Sequence, residues 1–209
     1  MMHLYKMFLD HCGVADEFFA RRCWQELTHF YTQPHRYYHH IWHMEHVVQQ
    51  IVEHRQGLDN RKFRAHILAA MYHDIVYDVS QDRHISNEAE SAGLFLAHAK
   101  LLEIKDDDIV QTAYDLILTT IYADGRSYNL LNDADLVGLG SSWETYSLNG
   151  EMIRKEFGAT REQWNTGRAK FLECFMHEEP IFFTPRFQEL YEKQARENLL
   201  RDFNNCKRG

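Results

Sequence analysis

Apolar residues recur every three or four positions along most of the chain, and runs of β-branched residues in strict alternation are missing. This pattern predicts a helix from Asp16 to Tyr31, closed before Pro34, and a second from His35 to about Gln56, ended by Gly57. A third, capped by Asp59, runs through Phe63, Ile67, Ala70 and Met71 to about Tyr77. Asn87 followed by Glu90 reads as a capping box opening a fourth helix that reaches Leu102. The acidic trio Asp106, Asp107 and Asp108 suits the positive end of a fifth, reaching about Tyr122. Ser141 with Glu144, Thr160 with Gln163, and Thr184 before Pro185 mark three further starts. The expected fold class is all-α, a bundle of helices without a sheet.

Composition narrows the class of protein. In 209 residues, 44% are hydrophobic, including 13 Phe, 11 Tyr and 4 Trp, enough for one well-filled core. With 10 Gly and 3 Pro, and no linker, low-complexity stretch or fixed-period repeat, the expectation is a single domain over 1–209. Its chemistry-bearing part lies at about 35–140, and further helices occupy about 141–205. The formal charge of −8, with no block of Lys and Arg to offset it, disfavours nucleic acid as a partner. A small phosphorylated substrate remains compatible, because a bound metal reverses the local sign. Residues Met1 to Asp10 lack the apolar core of a signal peptide, and no run approaches membrane-spanning length. Cys12, Cys23, Cys174 and Cys206 have neither zinc-ribbon nor disulfide-framework spacing. A cytoplasmic protein with free thiols is expected, with no membrane partner.

The candidate chemistry is concentrated in histidine and aspartate. Of 14 His, eight fall between His35 and His73. On the second predicted helix, Ile41, Met44, Val48 and Ile51 form an apolar stripe, and His43 lies at its edge while His39 and His46 lie further round. A His there either reaches a cleft beside the core or bonds to a carbonyl. On the third helix, Asp74 falls on the face set by Phe63, Ile67, Ala70 and Met71, where a carboxylate without a cation or strong donors costs several kcal/mol. A metal with His73 as neighbouring ligand satisfies it, and so does a buried Arg. In Leu130–Val137, Asp135 is stacked between Leu131 and Leu139 if the segment is helical, while Asp133 points elsewhere, as a helix cap or an outer partner. Imidazole with carboxylate suits iron, manganese, zinc or, less well, magnesium.

His43, then His73-Asp74, then Asp135, resembles the H…HD…D signature of the HD superfamily of metal-dependent phosphohydrolases. The match is closer to one uncharacterised bacterial branch. It is carried by Arg36-Tyr37-Tyr38-His39, Tyr72-His73-Asp74 with Tyr77-Asp78, Asn87-Glu88 with Ser91-Ala92, and Asp133-Ala134-Asp135-Leu136 with Leu139-Gly140. Gly167-Arg168, Ile181-Phe182, Thr184-Pro185 and Asn198-Leu199 extend it through residues 30 to 200. Two departures are His40, where the branch usually has Asn, and Thr120-Ile121-Tyr122, where it often has His. Members with two metals use two further His between the HD pair and the last Asp. His98 is placed for one and Tyr122 stands at the other, so a single divalent ion (Mn, Fe, Zn, Mg, Ni or Co) is expected.

The resemblance implies an HD-type bundle with the metal between central helices, held by His43, His73, Asp74 and Asp135. It implies hydrolysis of a small phosphorylated metabolite, such as a nucleotide, by metal-activated water. Asp74 can steer that water, with Asp78 and Glu88 as further candidates; Asp78 is equally an ordinary helix-end acid, and Glu88 reads somewhat more readily as a first-turn acid favoured by the helix dipole. Arg36 is the first choice for binding phosphate through its forked guanidinium, with His39 as helper. Arg168 matches the branch pattern but also reads as a salt bridge to a neighbouring helix. Tyr37, Tyr38 and Trp42 read as nucleobase platforms or as core. Two other classes stay open: a catalytically silent metal or nucleotide sensor on the same fold, and a helical interaction protein whose His are surface decoration. Substrate, physiological metal and oligomeric state are not written in these residues.

Overall fold

The structure, a computed structural model, describes residues 2–14, 17–80, 84–121, 129–177 and 180–208. Among these residues the regular elements are all helical, as the periodicity requires, and no helix is long and apolar enough to cross a membrane. Contacts group the chain into two units, 1–127 and 128–209.

The first unit contains α1 (Met2–Cys12), α2 (Glu17–Tyr31), α3 (Ile41–Glu53), α4 (Asn60–Tyr72), α5 (Asn87–Leu101) and α6 (Asp107–Leu118). The sequence reading did not predict α1, whose apolar stripe is only Leu4, Phe8 and Cys12, all buried. Asp16, the expected start of α2, lies outside the described residues. At the centre is α4, which packs against α1, α3, α5 and α6. From Ala65 to Tyr72 every residue of it is buried, as befits a helix apolar on all sides. Ala65, Ala69 and Ala70 keep its surface low enough for neighbours to close in. Its start is held as expected, with Asp59 accepting from the Lys62 N–H at 2.8 Å.

Several boundaries differ from those predicted. The second predicted helix begins at Ile41 rather than His35, because the segment before it is shaped by buried Arg36, whose Nη1 donates to the His39 carbonyl. α4 stops at Tyr72 rather than Tyr77, so Asp74 sits in the turn after the helix instead of on its face. α5 is capped by Ser86, which accepts from the Ala89 N–H, one residue ahead of the expected Asn87. Asn87 instead ties down Asp78, accepting from its N–H and donating to its carbonyl, each at 3.0 Å. Asp106 caps α6 as the acidic trio suggested.

The second unit contains α7 (Leu130–Leu136), a 3₁₀ turn (Val137–Gly140), α8 (Trp143–Glu156), α9 (Arg161–Met176), α10 (Pro185–Phe187), a π turn (Gln188–Glu192) and α11 (Lys193–Cys206). The Thr160–Gln163 capping box opens α9, while α8 takes Ser142 rather than Ser141 as its cap. α11 packs on α9 and on the 3₁₀ turn. Gly140 is required there: a Cβ would fall 2.6 Å from the Tyr191 Cβ and 2.8 Å from its carbonyl oxygen. Buried Asn198 fastens the same corner by donating to the carbonyls of Leu139 and Ser141, both at 2.8 Å.

Candidate metal centre

Three of the candidate ligands come from two segments of the first unit. His43, on the first turn of α3, is brought inward by the stripe of Ile41, Met44, Val47 and Val48 and is buried. His73 caps the C-terminus of α4, only 1% exposed. Its Nδ1 stands 2.9 Å from the Ala70 carbonyl, which can only accept, so Nδ1 carries a proton and Nε2 is the nitrogen left to face Asp74. Oδ2 of Asp74 lies 3.2 Å from that Nε2 and 3.5 Å from Nε2 of His43. The His43 and His73 ring centroids are 5.5 Å apart. Electron-rich atoms this close, with little water around them, are held together by a cation or by a second ring proton.

Asp135, the remaining candidate, is on α7 of the second unit. Ligands bound at about 2.1 Å from one ion stand roughly 3.0 to 3.4 Å apart along octahedral or tetrahedral edges. The 3.2 and 3.5 Å separations match that spacing, and two imidazoles with a carboxylate are an apt donor set for a divalent transition ion. The residues therefore fit a metal, although they do not choose which.

The turn that carries Asp74 is fixed by contacts that sequence reading missed. The Asp74 N–H donates to the Tyr31 hydroxyl at 3.2 Å. Arg36, 3% exposed, donates from Nη1 to the Asp74 carbonyl at 2.6 Å and from Nη2 to the Ile75 carbonyl at 2.7 Å. These bonds replace the helical ladder that would have continued past Tyr72, and they correct the role expected for Arg36. Its fork grips backbone in place of a phosphate.

The remaining candidates are spread more widely. His39, half-buried, stacks on Tyr77 at 4.1 Å and stands edge-on to His43 at 5.6 Å, which keeps it beside the metal ligands. Asp78 is exposed, and its Oδ1 accepts from the Ser80 N–H at 2.9 Å, closing a turn. Glu88 is in the first turn of α5. His98 is buried in the last turn of α5. It takes the Tyr72 hydroxyl on Nδ1 at 2.8 Å and places Nε2 at 3.4 Å from Glu26. Burial lowers its pKa, against the opposing pull of Glu26. Tyr122, on which the expected metal count turned, lies outside the described residues. Much of the histidine load is local bonding: Nδ1 of His11 and of His66 each meet a carbonyl one turn back, at 2.8 Å.

Arg168 is corrected to the salt-bridge reading. Buried on α9, it donates from Nε to Asp202 on α11 at 3.0 Å and from Nη2 to the Tyr146 hydroxyl at 2.8 Å, while that hydroxyl donates to Asp202 at 2.8 Å. The triad ties α8, α9 and α11 together. Arg168→Met is expected to lower stability by roughly 2 to 4 kcal/mol, since it leaves Asp202 and Tyr146 without their cation. Metal content should be unchanged. Urea unfolding beside elemental analysis checks both, and metal loss in folded protein would contradict this assignment.

Comparison of the chain with family models, with curated proteins and with solved structures gives no match. Function is therefore argued from the site itself.

Proposed function

We propose that the protein is a metal-dependent phosphohydrolase acting on a small phosphorylated metabolite, with a nucleotide as the preferred class. One observation carries this reading: Oδ2 of Asp74 lies 3.2 Å from Nε2 of His73 and 3.5 Å from Nε2 of His43, and both rings are buried. The order of these residues in the chain resembles that of the HD superfamily, which supports the same reading. A divalent ion held there supplies an acidified water and neutralises charge on a phosphoryl oxygen. His43, His73 and Asp74 would hold the ion, and the Nδ1–H bond of His73 to Ala70 fixes which nitrogen faces it. His39, stacked on Tyr77 beside His43, is the residue we assign to a phosphate oxygen as hydrogen-bond donor. Glu88 stays a candidate for steering water. Asp78, engaged with the Ser80 N–H, is the weaker one.

The test is elemental analysis of the purified protein, followed by phosphate release from a nucleotide panel with Mn, Fe, Zn, Mg, Co or Ni. The expected result is about one ion per chain and turnover that His73→Ala abolishes. A retained metal without turnover across the panel gives the sensor reading instead. Sites empty of metal in several preparations, and refusing it on titration, leave a helical interaction protein.

A further inference from the structure

We infer that Arg36 is a positioning residue for the metal centre, the brace that locks the two ligand-bearing segments of the first unit to each other. The inference rests on the metal reading above and adds a residue to it. Arg36 precedes α3, which carries His43, and its Nη1 donates both to the His39 carbonyl at 3.2 Å and to the Asp74 carbonyl at 2.6 Å. Nη2 donates to the Ile75 carbonyl at 2.7 Å. One planar cation thus joins the chain just before His43 to the chain at and after Asp74, thirty-eight residues away in sequence for the Asp74 bond.

The surroundings suit this role. The guanidinium lies over the ring of Tyr31 at 5.2 Å and over that of Tyr77 at 5.7 Å, and Tyr77 stacks on His39. The peptide unit leading into Asp74 is gripped by the Tyr31 hydroxyl, and the one leaving it by Arg36. Asp74 is in a turn rather than a helix, so no helical ladder holds its carboxylate in place. These bonds do so instead. A lysine in place of Arg36 keeps the charge but offers no planar fork to carbonyls on separate segments.

The experiment uses the full chain stripped of metal and titrated with Co²⁺, reading affinity from the visible d–d absorption and ligand geometry from its position and intensity. Arg36→Lys is expected to weaken Co²⁺ about 10- to 100-fold, the range for partners that orient metal ligands, and to alter the d–d band. Tyr31→Phe, which removes one hydroxyl, should move both readouts in the same direction by a smaller factor, and it keeps the test open if changes at Arg36 hinder folding. Methylguanidinium added to Arg36→Gly should recover part of the affinity, which a general loss of stability would not allow. Wild-type affinity and band in both Arg36→Lys and Tyr31→Phe would overturn the inference. So would an intact Co²⁺ site with only substrate affinity lost in Arg36→Lys, which would return Arg36 to phosphate binding. Failure of the wild-type chain itself to take up Co²⁺ would instead remove the metal reading on which the inference stands.

Discussion

Asp74→Asn is expected to leave the metal-free protein at least as stable as the wild type while weakening metal binding by about 100-fold or more, above the usual range for residues that only orient a ligand. The two halves of this result have one cause. Oδ2 of Asp74 lies 3.2 Å from Nε2 of His73 and 3.5 Å from Nε2 of His43, in a place where its side chain is 17% exposed. Without an ion the carboxylate is a liability there; an amide of the same shape removes the charge and brings N–H donors to both rings. With an ion the order reverses, because the amide donates far less charge. At metal a thousandfold above the wild-type Kd, binding raises stability by about 4 kcal/mol; a 100-fold weaker site keeps only about 1.4 kcal/mol of that. Thermal unfolding with and without metal measures both. A variant that loses stability when metal-free yet keeps the full metal-induced rise would show Asp74 to be a purely structural acid.

What could be read in advance, and what could not, follows from how far each interaction reaches along the chain. The caps Asp59, Asp106 and Thr160 with Gln163 are local, each side chain meeting an N–H three residues on, and they were legible. The approach of Asp74 to His43 and His73 was legible for another reason: an acid on an otherwise apolar stretch is costly, and a shared cation relieves the cost. The ends of α3 and α4 were not legible. Periodicity carries the helix through His35 and on to Tyr77, whereas Arg36 and Tyr31 bond the turn at Asp74 from some forty residues away. Of the two arginines, Arg36 was read toward phosphate, whereas for Arg168 the salt bridge to a neighbouring helix was the stronger reading and is the one observed. A guanidinium in a motif looks equally suited to a phosphate, to carbonyls or to a carboxylate, and the partners of Arg36 and Arg168 lie on other helices or turns. α1 was missed because three buried residues make too short a stripe. Asp133 was left between a cap and an outer partner of the site; its observed partners are backbone N–H groups far along the chain.

Those partners give the second large effect. The segment just before Pro185 is irregular, so its N–H groups have no ladder to join. Glu192 accepts from Ile181 and Phe182 at 3.0 Å, and Asp133 accepts from Phe183 on one oxygen and Thr184 on the other, both at 2.7 Å. Asp133 is 0% exposed, and bonds this short to a carboxylate are the strong, charge-assisted kind. Asp133→Ala strips both donors of their acceptor and is expected to cost roughly 2 to 4 kcal/mol, a large fraction of the stability of an ordinary domain. Asp133→Asn keeps the shape but has one carbonyl oxygen for two N–H groups, and its NH₂ faces the second donor; it should recover less than half of the loss. Glu192→Ala should cost less than Asp133→Ala, since the Glu192 side chain is 21% exposed and water can replace it. Urea unfolding followed by far-UV circular dichroism ranks the three variants. If Asp133→Ala falls within about 0.5 kcal/mol of the wild type, the variation ordinary at surface sites, then water satisfies the Phe183 and Thr184 N–H groups and the buried carboxylate must be sought a different task, two residues from Asp135.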